Sequence, residues 1–87
     1  MTRVAYVNGR FVPHGEAAVH IEDRGYQLAD GVYEVWAVLG GALADAEGHF
    51  ERLERSLGEL SITPPMGRPA LEVVLKETVR RNRVREG

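Results

Sequence analysis

Arg52, Lys76, three histidines (His14, His20 and His49) and two serines (Ser56 and Ser61) are the side chains of this sequence that could do chemistry. The histidines lack metal-ligand spacing: there is no HExxH, and His20-Ile21-Glu22-Asp23 has no second histidine at a helical offset. Each reads better as a lone surface histidine, and no metal site is expected. Neither serine has a histidine partner for a nucleophilic triad. No GxGxxG or GxxxxGK[ST] loop is present to cradle a phosphate. Lys76 sits one helical turn after Glu72 and reads as a solvated ion-pair member rather than a desolvated amine nucleophile. Arg52 resists the bland reading. It falls in the first turns of a helix beside inward-facing Phe50 and Leu53, where a guanidinium and backbone N–H groups suit a phosphate. The competing reading, which spacing alone favours, is a surface arginine paired with Glu51 or Glu59.

These residues must be positioned by a small set of elements. Val4-Ala5-Tyr6-Val7, Asn8-Gly9 and Arg10-Phe11-Val12 form a hairpin pattern, with Asn-Gly supplying the positive-φ pair of a type I′ turn. Pro13 ends the second strand, having no N–H for a ladder. Glu16 to Glu22 is weakly strand-like, and Asp23-Arg24-Gly25 breaks the chain. Val32 to Leu39 is the best strand pattern; Gly40-Gly41 then turns the chain back into Ala42-Leu43-Ala44. Asp45 is the expected N-cap of a helix whose apolar stripe is Phe50, Leu53, Leu57 and Leu60, with Glu51–Arg55 as an exposed pair. After the Thr63–Gly67 loop, Pro69 fits the first turn of a second helix. That helix buries Leu71, Val74, Leu75, Thr78 and Val79, exposes Glu72–Lys76 and Glu77–Arg81, and ends near Asn82. The expected fold is α+β: a two-layer small domain of antiparallel β-hairpins packed with two α-helices.

With 87 residues a single domain is expected, and one this small is marginal without further support. The absence of cysteine excludes a disulfide scaffold and thiolate chemistry. Met1-Thr2-Arg3 runs straight into a strand pattern rather than a signal-peptide core, and no apolar run is of membrane-spanning length. Cytoplasmic residence without a membrane partner follows as the expectation. A net charge of −2 gives no reason to expect nucleic acid. The basic cluster Arg80, Arg81, Arg83 and Arg85 complements a helix C-terminus.

One stretch asks for more than a hairpin needs: Asp23-Arg24-Gly25-Tyr26-Gln27, then Asp30-Gly31, then Val32-Tyr33-Glu34-Val35. Together with His49-Phe50-Glu51-Arg52-Leu53, Arg55-Ser56 and the opening strand–Asn-Gly–strand, it resembles the amino-terminal domain of class IV (fold-type IV) pyridoxal-phosphate aminotransferases. Within that family, Val-Tyr-Glu-Val is most similar to the D-amino-acid aminotransferases. Ala29 departs from the glycine often found before Asp-Gly. The resemblance implies that Arg52 binds the phosphate of pyridoxal 5′-phosphate, that the Tyr33 hydroxyl lies near the substrate carboxylate, and that Val35, on the same strand face, walls the pocket. It leaves Glu34, on the opposite face, without a clear role, and makes His49 structural.

The resemblance further implies parts not found in this sequence. The cofactor lysine and a carboxylate facing the pyridine nitrogen belong to a second domain beyond position 87, and Lys76 matches neither the position nor the environment expected of that lysine. Residues 1–87 are thus expected to be the N-terminal portion of a homodimeric transaminase, acting on an amino acid and a 2-oxo acid and lacking its last strands. Alone, the chain is expected to be inactive and to hold no cofactor. The alternatives are an aminodeoxychorismate lyase or a branched-chain aminotransferase of the same fold, or a non-catalytic association domain.

Overall fold

The computed structural model describes residues 3–87; Met1 and Thr2, read above as the lead-in to the first strand, lie outside them. Strands β1 (Val4–Val7) and β2 (Arg10–Pro13) pair antiparallel, with Val4 opposite Pro13 and Val7 opposite Arg10. Asn8 and Gly9 both take positive φ, 48° and 90°, as the right-handed twist of a two-residue hairpin demands. Pro13 closes the strand, and a 3-10 turn over His14–Glu16 follows. The second hairpin pairs β3 (Val38–Leu39) with β4 (Ala42–Leu43) through Gly40 and Gly41, again both at positive φ. On its other side, β3 exchanges two backbone hydrogen bonds with Gly87, from Val38 N–H at 2.7 Å and to Val38 C=O at 3.0 Å.

Helix α2 (Ala46–Glu59) and helix α3 (Arg68–Arg81) complete the α+β arrangement expected from the sequence. The core is small: Phe50 and Leu57 from α2, with Val38 from β3. Phe50 is 2 % exposed and stacks obliquely on Trp36, ring centroids 5.2 Å apart. Leu53 is half-buried, whereas Leu60, expected at the end of the stripe, is exposed because α2 has ended and Leu60 is its C-cap. The α3 face Leu71, Val74, Leu75, Thr78 and Val79 is half-buried along its length. Asn82 ties α3 to β1: its side-chain amide accepts from Val4 N–H at 2.8 Å and donates to Val4 C=O at 2.9 Å, as a neighbouring strand would. Arg81 stacks on Phe11 of β2, 4.1 Å from the ring centre.

Both long helices stop without glycine. Ser61 and Arg83 take left-handed φ of 55° and 54°, and the next residues, Ile62 and Val84, donate back to Leu57 and Val79. Asp45 stands at the N-cap of α2, but its side chain makes no capping hydrogen bond; the residue itself is left-handed. Of the expected surface pairs, Glu72–Lys76 (3.0 Å) and Glu77–Arg81 (2.8 Å) form, and Glu51–Arg55 does not. Arg68, at the start of α3, bridges back to Glu47 and Glu54 of α2. Among the described residues no helix is long and apolar enough to cross a membrane.

Three expectations are corrected between the hairpins. Glu16–Glu22 forms no strand. Asp23-Arg24-Gly25 begins a short helix, α1 (Arg24–Leu28), rather than merely breaking the chain: the Asp23 carboxylate accepts from the N–H groups of Gly25 and Tyr26. Only Val38 and Leu39 of the Val32–Leu39 pattern pair as a strand: Ala37 C=O still accepts from Ala44 N–H at 2.9 Å, but residues 32–36 find no neighbouring ladder among the described residues. Strand propensity measures fit to a pleated, half-covered surface and does not supply the partner.

Candidate functional site

The site is built from the segment that enters β3. Two turns brace it. The Arg24 guanidinium reaches Asp30 at 2.8 Å, and Asp30 N–H returns to the Arg24 carbonyl, so the Asp-Arg-Gly and Asp-Gly signals lock onto each other across α1. Gly31 passes close to Gly25: a Cβ there would lie 3.9 Å from the Gly25 Cα. Ala29 ends α1 at φ 54°, the left-handed region where glycine fits without strain, which explains why a glycine suits this position.

From Val32 to Val38 burial then alternates residue by residue, even though residues 32–36 have no ladder neighbour among the described residues. Val32, Glu34, Trp36 and Val38 turn inward; Tyr33, Val35 and Ala37 turn out. Tyr33 and Val35 therefore share one face, about 7 Å apart along the segment, as expected. They are 88 % and 67 % exposed. Trp36 is held between Phe50 and His49, and its indole Nε1 is buried without an acceptor among the described residues.

Glu34 is where the inward face meets α2. Its side chain is only 6 % exposed. Oε1 accepts from His49 Nδ1 at 2.8 Å and from Arg52 Nη2 at 2.5 Å, while Oε2 accepts from Arg52 Nε at 3.0 Å. The forked guanidinium first, and His49 second, hold the Glu34 carboxyl down at about 2, below the usual carboxylate range. Ionised, Glu34 only accepts, so His49 carries its proton on Nδ1. His49 and Arg52 lie three residues apart on α2, one turn of the same face.

Arg52 thus pairs with neither Glu51 nor Glu59 but with a residue eighteen positions earlier. It also stands roughly 9 Å along the axis from the first residue of α2, so the helix N-terminus does not share its site. Its side chain is 56 % exposed, and among the described residues nothing accepts from Nη1. Tyr33 and Val35 lie on the outward face of the segment, opposite the inward face that carries Glu34, the partner of Arg52. A cavity of about 430 Å³ opens between α2, the 63–67 loop and α3, lined by Phe50, Leu53, Leu57, Pro64, Met66 and Leu71. It is apolar, and none of Arg52, Tyr33 and Val35 lines it. The polar convergence lies elsewhere, at Glu34, where the donors of His49 and Arg52 meet.

Sequence reasoning passed over Glu34 and gave His49 only a structural part. The signal was present: a carboxylate on the inward side of an alternating segment needs donors, and His-x-x-Arg supplies two from one helix face.

No family model matches the chain. Among known proteins it is 44% identical over 80 residues to the D-alanine aminotransferase of Bacillus licheniformis, which covers 92% of this chain. It is 37% identical over all 87 residues to that of Staphylococcus haemolyticus, and 36% identical over 81 residues to that of Listeria innocua. The chain spans 28–30% of the length of these relatives. The likeness to D-amino-acid aminotransferases read from Asp23–Val35 and His49–Leu53 stands on these matches.

Proposed function

We propose, with this kinship to D-alanine aminotransferases as the premise, that the chain supplies the phosphate-binding and substrate-facing wall of a transaminase acting on D-amino acids and 2-oxo acids. The observation that carries the reading is the forked Arg52. Of the five N–H groups of its guanidinium, Glu34 engages Nε and one on Nη2, which leaves the exposed Nη1 edge for a phosphate. Pyridoxal 5′-phosphate fits that donor set, and when bound supplies the electron sink that transamination requires.

Each residue of the chain then has a stated task. Arg52 binds the phosphate. Tyr33, exposed on the opposite side of the segment, directs its hydroxyl to the substrate carboxylate, and Val35 beside it limits the side chain admitted. The proton transfer at the substrate α-carbon needs a lysine in a dry setting. Lys76 is 67 % exposed and paired with Glu72, so that lysine belongs to another part of a longer protein. In this reading residues 1–87 are an N-terminal small domain, inactive alone, of a class IV enzyme that works as a cytoplasmic homodimer. The open apolar side chains Val19, Ile21, Tyr26 and Leu28 support burial against further protein.

An amino-donor panel on the intact protein tests the reading, with 2-oxoglutarate as acceptor. D-Alanine is expected to be the better donor. Preference for L-leucine would overturn the choice of D-amino acids.

A further inference from the structure

We infer that Glu34, braced by His49, is a positioning residue that fixes the Arg52 guanidinium with its Nη1 edge toward the anion. The inference rests on the proposed phosphate role of Arg52 and adds to it the group that makes the role possible.

An arginine 56 % exposed on a helix surface has several rotatable bonds, and an anion that captures it must order them. Glu34 does that ordering beforehand. Both of its oxygens take part, gripping the edge of the guanidinium formed by Nε and Nη2. The carboxylate is itself fixed: Oε1 also accepts from His49 Nδ1 and from the Val35 N–H at 3.2 Å. The opposing effect is repulsion, because Glu34 is an anion near the intended phosphate. Its charge is offset within the cluster by Arg52, and its oxygens are engaged on the Nε–Nη2 edge rather than at Nη1. The fork therefore leaves Nη1 free at little electrostatic cost.

The test separates orientation from charge. The probe is the ratio of dissociation constants of pyridoxal and pyridoxal 5′-phosphate in the intact protein, which isolates the phosphate contribution. Glu34→Gln is expected to lower that ratio about three- to tenfold, the cost of ordering one long side chain. In an Arg52→Lys background there is no fork to orient, and Glu34→Gln is expected to leave the ratio unchanged or to raise it. An equal loss in both backgrounds, or a gain with Arg52 present, would overturn the inference. Should Glu34→Gln fail to fold, His49→Ala is expected to lower the ratio in the same direction and His49→Gln, which keeps a donor, to restore it; identical behaviour of the two would count against positioning. A ratio of one in the unaltered protein would overturn the phosphate role itself, and this inference with it.

Discussion

Between Ala17 and Ala37 the chain exposes Val19, Ile21, Tyr26, Leu28, Tyr33 and Val35, whereas between Ala46 and Val84 it covers, in whole or part, Phe50, Leu53, Leu57, Ile62, Leu71 and Val74. The two regions do not differ in apolar content so much as in how their backbones are satisfied. A helix closes its own hydrogen bonds and needs cover on only one face. An extended segment needs a neighbour for its ladder as well as for its side chains. Residues 32–36 have the second on one side only, through Glu34 and Trp36. The packed region consequently holds the molecule together, and the open region displays Tyr33 and Val35 from a support it does not itself provide.

Substitutions can break this contrast. The largest effect is expected at Phe50, the most buried side chain, where Phe50→Ala removes the packing of Trp36 and opens a cavity. About 3–5 kcal/mol should be lost in urea unfolding, which is most of the stability of a domain this size. Asn82→Ala comes next. It leaves Val4 N–H and C=O without their partner and should cost about 1–3 kcal/mol in the same experiment.

Acid sharpens the contrast in another way. The Glu34 carboxyl is held at about 2 in the folded chain, against an ordinary 4.5. The stabilisation from its fork is therefore present above pH 4.5 and disappears as pH falls toward 2. Because Arg52 is more than half exposed, solvent screens the pair and the effect should be modest. Unfolding midpoints of the unaltered chain and of Glu34→Gln should converge as the pH is lowered through that window. The smallest change is expected in the open region: Tyr33→Ala should move stability by no more than about 0.5 kcal/mol, while removing the proposed contact to substrate.

Much of the packed region was legible because its signals are local. Asn8-Gly9 and Gly40-Gly41 demand their turns, Pro69 marks the start of α3, and the three- and four-residue spacing of Phe50, Leu53 and Leu57 marks a buried stripe. The helix ends were harder to read, since Ser61 and Arg83 take the left-handed position usually given to glycine. Asp45 misled in the opposite sense, being a good capping type whose backbone angles leave the side chain unable to cap. In the open region the alternation of Val32–Val38 was legible but its pairing was not, because a partner strand is a long-range fact. The candidate site divided along the same line. Arg52, Tyr33 and Val35 came from motif resemblance and strand periodicity. The link from Arg52 to Glu34 spans eighteen residues and two kinds of structure, and no spacing rule reaches across it.

The most direct test of the whole account is a binding measurement on Arg52→Gln in the intact protein. The affinity for pyridoxal 5′-phosphate should fall about tenfold or more, with the affinity for pyridoxal unchanged and the fold retained, since a charge-assisted pair to phosphate is lost and little packing goes with it. Equal weakening of both ligands, or an unchanged affinity for the phosphorylated one, would contradict the assignment of the phosphate to Arg52.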